Sequence, residues 1–389
     1  MKYILLLLCT VSGLTLKAQS SAWLDSITAN NTTLQVLKKQ AEAEVLQNRS
    51  ELRWENPEAE VGYVFASPKG VEARTSVSLT QSFDWSQLTG QKKKMVQAAN
   101  EMTRNAYLAE RMNVLAEGRR ILTETVYYNR LCHELEMRLE RASEIQSLYE
   151  GRFADGDINQ VEWNKVRLNT SVTRTELERA RTERKSLWLE LQRLNGGKPL
   201  EVHDTAYALP PMPAWVDLVQ QIEAHHPVLQ GAEASVSQSR SAVKVARAQA
   251  FPALSVGYMG EFAKGISSNG VKFGISIPLW GKSRMKVREN RARLASRQLE
   301  REDASRQLRA EITRQYTAAL ELQNSVGNLQ RDLSGTDNDY YLRRSLEEGQ
   351  ISLLDYLLEL SFYYNARTAL LEAERDAQLA QAGLWSLIP

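Results

Sequence analysis

Four stretches of the chain alternate apolar with polar or small residues at period two. The first sets Ala59, Val61, Tyr63 and Phe65 against Glu58, Glu60, Gly62 and Val64. The second sets Val77, Leu79, Gln81, Phe83 and Trp85 against Ser76, Ser78, Thr80, Ser82 and Asp84. Leu254, Val256, Tyr258 and Phe262 form the third, and Val271, Phe273, Ile275, Ile277 and Leu279 the fourth. This period predicts half-buried strands, with Ser67 to Gly70 and Lys264 to Gly270 as the loops within two strand pairs. Two arrangements satisfy it. One is a soluble sheet packed on helices; the other is a membrane barrel with an apolar outer face and a polar lumen. Aromatics near the strand ends, Tyr63, Phe65, Phe83, Trp85 and Trp280, would suit the interfacial girdles of a barrel.

The remainder is written for helix. Gln91 to Glu150 holds about sixty residues without proline, enough to span roughly 90 Å as one helix. A turn at Gly151 to Asp157 sends the chain back through Ile158 to Leu194. A second such passage runs from Lys282 to about Leu346, broken near Ser334-Gly335, and returns from Ile351 to Leu387. Helices of this length pack along one another as coiled coils. Leu168, Val172, Leu177, Leu187, Leu191 and Leu194 supply the expected seam of the first return, and Ile351, Leu354, Leu357 and Leu358 the apolar face of the second.

The chain is a tandem duplication. Ala29 to Tyr63 superimposes without a gap on Ala224 to Tyr258, each copy a helical run that stops before a proline and becomes a strand. RFADGD at Arg152 is answered by SLEEGQ at Ser345, placing Gly156 and Gly349 in equivalent turns. The predicted organisation is a leader over residues 1–18, a first repeat over 19–194, a linker over 195–213 and a second repeat over 214–389. Asn195-Gly196-Gly197 and Pro210-Pro211-Met212-Pro213 give that join its linker chemistry.

Charge narrows the function. Lys and Arg number 49 and Asp and Glu 47 in 389 residues, too balanced for a nucleic-acid binder. Lys2, the apolar run Ile4 to Leu8 and small residues up to Ala18 read as a secretory signal, too short to span a bilayer. Beyond it only Cys132 remains, which excludes an intrachain disulfide. No stretch reaches 18 apolar residues, so a membrane role falls to the strands. Four strands cannot enclose a lumen, and an open edge facing lipid leaves backbone groups unsatisfied. A membrane sheet therefore requires several chains; three would give twelve strands, inside the usual range of about 8 to 26.

The duplicated plan of strand pair and long hairpin, the Gly156 and Gly349 turns, Leu354-Asp355 and Tyr364-Asn365-Ala366-Arg367 together resemble the TolC-like outer-membrane efflux family. ISIPLWGK, from Ile275 to Lys282, looks like the strand exit of its heavy-metal-efflux branch. Order and duplication carry the resemblance, since no single motif is specific. It implies a fold that is mainly α with a β part. Each protomer would give four strands to a shared trimeric twelve-stranded transmembrane β-barrel and its long coiled-coil α-hairpins to a periplasmic tunnel. It implies an outer-membrane channel of a tripartite efflux system, passively conducting substrates, metal cations among them. The implied partners are two further copies, a periplasmic adaptor, an inner-membrane pump of the resistance-nodulation-division type and outer-membrane lipid. A periplasmic adaptor and a coiled-coil structural protein of the envelope are the alternatives. An adaptor should show one hairpin flanked by lipoyl-like and barrel segments, and a coiled-coil protein no strands of membrane length.

No catalytic constellation, cofactor loop or metal-ligand spacing is present in the sequence, so neither enzyme nor cofactor is expected. His225-His226 could bind metal, but the pair occupies the place of Asn30-Asn31 of the first repeat, at the start of a helix. Cys132-His133 lies within a long helix without further ligands nearby. By resemblance, Asp355 matches an acidic position lining the periplasmic constriction; Glu359 and the first-repeat Glu162 are the weaker candidates. The second acid of such a ring is replaced by Leu358. The hairpin tips, Arg152, Phe153 and Gly156 with Glu347, Glu348 and Gly349, are the expected docking points for an adaptor.

Overall fold

The structure is a computed structural model that describes residues 22–65, 73–207, 212–277, 281–334 and 339–389. The expected leader, the loop Ser67 to Gly70, Trp280, and parts of the linker and of the break after Ser334 lie outside the described residues. The elements in order are α1 (residues 22–30), α2 (Thr32–Ser50), β1 (Glu58–Val64), β2 (Arg74–Phe83), α3 (Trp85–Leu88), α4 (Gln91–Ala154) and α5 (Gln160–Leu194). The second repeat gives α6 (Trp215–His225), α7 (Pro227–Ala248), β3 (Ala253–Ala263), β4 (Ile266–Ser276), α8 (Lys282–Leu333), α9 (Asp339–Glu347) and α10 (Leu353–Ser386). The fold is mainly helical with a small sheet, as the periodicities require.

Two compact units result, and each draws on both repeats: Leu37–Ala109 with His225–Leu308, and Met1–Val36 with Glu110–Ala224 and Arg309–Pro389. The first holds one antiparallel sheet in the order β1-β2-β3-β4. Register sorts its faces cleanly. Val61 pairs with Val77, Leu79 with both Ala59 and Tyr258, Val256 with Phe273 and Leu254 with Ile275, so these share one side. Glu60, Ser78 and Met259, and likewise Thr80, Gly257 and Lys272, share the other. The apolar side is open: Val61 is 72% exposed and Phe273 78%. β1 and β4 form the two edges.

Two strand boundaries differ from the sequence pattern. Trp85 does not end β2; Asp84 caps α3 by accepting from the Ser86 backbone N–H at 2.8 Å, and the Trp85 indole donates to the Pro252 carbonyl at 2.7 Å. The second hairpin loop shrinks from Lys264–Gly270 to Lys264-Gly265, because Ser267, Ser268 and Asn269 pair with Phe262, Glu261 and Gly260. Small polar residues read as loop, but an existing strand beside them supplies the ladder.

The other unit has a core of Ile27, Ile121, Leu187, Leu191, Leu194, Leu200 and Val202. The expected linker is thus partly core: Leu200 and Val202 are buried, and the Asn129 amide donates to the Val202 carbonyl at 2.8 Å. Further along, Cys132, Leu135, Leu177 and Ala180 pack together, while His133 faces solvent. Leu168 and Val172 leave the predicted seam and are exposed, whereas Leu177, Leu187, Leu191 and Leu194 keep to it.

Each helical run ahead of a strand pair is broken once, at Asn31 and at His226. Both residues cap the helix that follows. Asn31 Oδ1 accepts from Leu34 N–H at 2.9 Å, and His226 Nδ1 accepts from Val228 N–H at 3.3 Å. The histidine pair therefore has the place of Asn30-Asn31, and burial pushes the His226 imidazole below its ordinary pKa.

Candidate functional site

Both hairpin tips are built by the same chemistry. After α4, Gly156 at φ +81° donates to the Phe153 carbonyl at 3.2 Å and Asp157 N–H to that of Arg152 at 2.8 Å. After α9, Gly349 at φ +70° donates to Leu346 at 3.1 Å and Gln350 N–H to Ser345 at 2.8 Å. These paired bonds form a Schellman ending, whose left-handed position suits glycine. Three residues beyond each glycine a cap starts the return helix. Asn159 Oδ1 accepts from Glu162 N–H at 3.0 Å, and Ser352 Oγ accepts from Asp355 N–H at 3.1 Å.

The candidate acids therefore hold the same place in the two repeats. Glu162 closes a capping box by accepting from Asn159 N–H at 3.2 Å, and Asp355 accepts from the Ser352 hydroxyl at 2.6 Å. A carboxylate at this position also complements the positive end of its helix. Asp355, Leu358 and Glu359 are all exposed on α10.

The apolar face of α10 is not the one its sequence pattern favours. Leu353, Tyr356 and Leu360 are buried, with Ile351 and Leu357 packed at their margin, while Leu354, Leu358 and Phe362 are 56%, 50% and 63% exposed. The buried set joins Tyr149 and Val166 of the first hairpin, so the tips share one core. Burial raises the Tyr149 phenol, against the opposing effect of Arg152 beside it. Phe153 stacks on Trp163 with centroids 5.9 Å apart. Of the docking candidates, Glu347 bonds to Arg343 at 3.0 Å and Glu348 to Arg344 at 2.7 Å, and Arg343 also reaches Glu144 of the first hairpin at 3.0 Å. A cleft of about 180 Å³ between the hairpins is lined by Glu144, Ile145, Arg343, Leu346 and Tyr356.

Farther from the tips, the Glu134 carboxylate accepts from Arg138 Nε at 3.1 Å and Arg367 Nη2 at 2.9 Å. Arg138 also donates to Thr368 Oγ1 and the Tyr364 carbonyl, each at 3.1 Å, and its guanidinium lies 4.4 Å from the Tyr364 ring centre. Sequence reading reached Tyr364 to Arg367 as a motif but not this bond, because Glu134 sits in a different repeat among many similar charges.

The profile of the outer membrane efflux protein family matches residues 218–388. The match covers less than half of the chain. No curated protein sequence matches. Among solved structures, the chain is similar to CusC, a protein described with conformational changes accompanying folding and transmembrane channel formation. The two share 17% identity and a TM-score of 0.78, over 95% of this chain and 92% of CusC. The CmeC outer membrane channel of Campylobacter jejuni shares 17% identity and a TM-score of 0.75, over 95% of this chain and 85% of CmeC. VceC, an outer membrane protein of Vibrio cholerae, shares 16% and 0.76, over 95% and 96%. The fold is that of outer-membrane channels along nearly its whole length, including the first repeat that the family profile leaves unmatched.

Proposed function

We propose that the chain is the outer-membrane channel of a tripartite efflux system. One observation carries this reading: a four-stranded sheet with an exposed apolar face, a polar opposite face and two open edges. In lipid, such edges must pair, and copies of the same sheet are the partners whose strands match in length and alternation. Three copies make a twelve-stranded barrel in the outer membrane, with the hairpins continuing it as a periplasmic tunnel. Conduction is passive, and the energy comes from an inner-membrane pump of the resistance-nodulation-division type, joined through a periplasmic adaptor. The adaptor meets the tips at Arg152, Phe153 and Gly156 and at Glu347, Glu348 and Gly349.

Asp355 is the constriction residue of this reading, with Glu359 and Glu162 beside the same mouth. Three symmetry-related carboxylates attract cations as acidic rings do in cation pores, which makes metal cations the favoured cargo. Membrane fractionation followed by cross-linking tests the reading. The expected species is a trimer extracted from the outer membrane only by detergent, conducting ions in planar bilayers. A soluble monomer would sink it.

A further inference from the structure

Where α7 and α8 adjoin the sheet, a groove of about 580 Å³ is lined by Arg247, Arg284, Arg288 and Arg291 together with Phe251 and Val287. Among the described residues, no carboxylate lines it. Most arginines farther along α8 are paired: Arg293 with Glu289, Arg297 with Glu300, Arg301 with Glu233, Arg306 with Glu302, Arg309 with Glu223 and Arg314 with Glu311, while Arg331 donates to the Gly327 carbonyl. Among the described residues, no ion pair engages the four that line the groove. The change is local, since the paired arginines begin within one turn of Arg291.

Placement is as informative as charge. α7 runs into β3, which begins at Ala253, and α8 starts six residues after β4 ends at Ser276. Phe251 is 64% exposed in the groove, and the strands beyond it carry the apolar face. Trp54 meets Phe83 edge-on at 5.5 Å, and Trp85 bonds to Pro252, so this end of the sheet is also where aromatics gather. Aromatic rings and cations together mark the level at which lipid headgroups meet hydrocarbon. The first turn of α8 holds Lys282 and Arg284 and no acid, a reversal of the usual charge preference at a helix start. A bound anion would offset that cost.

We propose that Arg247, Arg284, Arg288 and Arg291 bind the phosphate of an anionic phospholipid at the helical end of the sheet, with Phe251 against its acyl chains. This rests on reading the sheet as a membrane wall. Guanidinium forks suit phosphate oxygens, and the groove is amphiphilic as a lipid is, cationic on one side and aromatic on the other. An aqueous lumen would give Phe251 no apolar partner.

The test uses the full chain in nanodiscs containing phosphatidylglycerol or phosphatidylethanolamine, with retained lipid counted by native mass spectrometry. The wild type should keep phosphatidylglycerol preferentially. R284Q/R288Q/R291Q should lose that preference on the order of a hundredfold, about fivefold per basic residue at a membrane surface. Arg297→Gln, which removes a paired arginine of the same helix, should keep it. Equal retention of the two lipids by the wild type, or full preference in the triple variant, overturns the proposal. So does complete displacement by inorganic phosphate, which would mark a free-anion site. A change in ion selectivity of the triple variant with lipid preference intact would place the arginines in the lumen and also overturn it. Cross-linking of the triple variant separates these outcomes from failure of the channel reading: the trimer persists if only the lipid site is lost.

Discussion

Arg367 donates to Glu134 at 2.9 Å and so ties α10 to α4, while Arg138 holds the other carboxylate oxygen from within α4. The side chains of Glu134 and Arg138 are only 9% and 8% exposed, so neither charge can turn to water if the other is lost. Glu134→Ala should therefore cost about 3 to 5 kcal/mol, since it strands a buried guanidinium. Replacing Glu134 and Arg138 together by leucine should cost markedly less. Thermal melts followed by circular dichroism in detergent separate the two results.

The pH dependence has two windows of different origin. Burial opposes the charge on Glu134, but Arg367 and Arg138 outweigh it and hold its carboxyl below the ordinary 4.5. The unfolded chain then takes up the proton first. This stabilisation is complete above about 4.5 and disappears as pH falls through the depressed native value.

His226 acts higher. Its depressed pKa, caused by burial, means that the unfolded imidazole protonates first as pH falls below 6.5, so stability declines from there toward the native value. Protonation also removes the Nδ1 acceptor that caps α7. His226→Asn installs the residue that caps α2 and should flatten the curve between about pH 7 and 5 without lowering stability at pH 8. Midpoints of denaturant unfolding at a series of pH values provide the check.

Gly349→Ala forces a β-carbon into the left-handed conformation, and Gly156→Ala does the same at the other tip. Each should cost roughly 1 to 2 kcal/mol locally. Faster amide exchange in residues 339–360 for the first variant, and in 145–166 for the second, would register it. Because one core joins the tips, some of each effect should appear at the other.

Asp355→Asn keeps a side-chain acceptor toward Ser352, and the site is exposed, so stability should change by less than about 1 kcal/mol. Cation block and cation selectivity in single-channel recordings should weaken if the carboxylate lines the constriction. Unchanged block would move the constriction elsewhere. Ser352→Ala is the complementary variant: loss of the cap should cost about 1 kcal/mol while the charge stays.

Much of this architecture was legible because its signals are local. Alternation along Val77 to Phe83 and along Leu254 to Phe262 specifies a sheet face whatever covers it, and the glycine turns announce the hairpins. The burying face of α10 was not legible. Leu353, Leu354, Leu357, Leu358 and Leu360 surround that helix with apolar groups, so only its partners, Tyr149 and Val166, decide which side turns inward. The pairs Asn30-Asn31 and His225-His226 stand at a legible helix start, but their capping bonds do not show in the sequence, where a polar residue there looks like a solvated position. The candidate acids were visible as charges, but the Asn159 and Ser352 caps that orient them were passed over although their spacing is a readable capping signal.

The open edges of β1 and β4 bear on inheritance as well as on shape. If three copies close the ring, a chain damaged at one edge still joins through the other and leaves the whole ring unsealed. In a mixed population, the fraction of sound rings then falls as the cube of the fraction of sound chains. Such a lesion should behave as dominant, whereas loss of the gene product altogether should not.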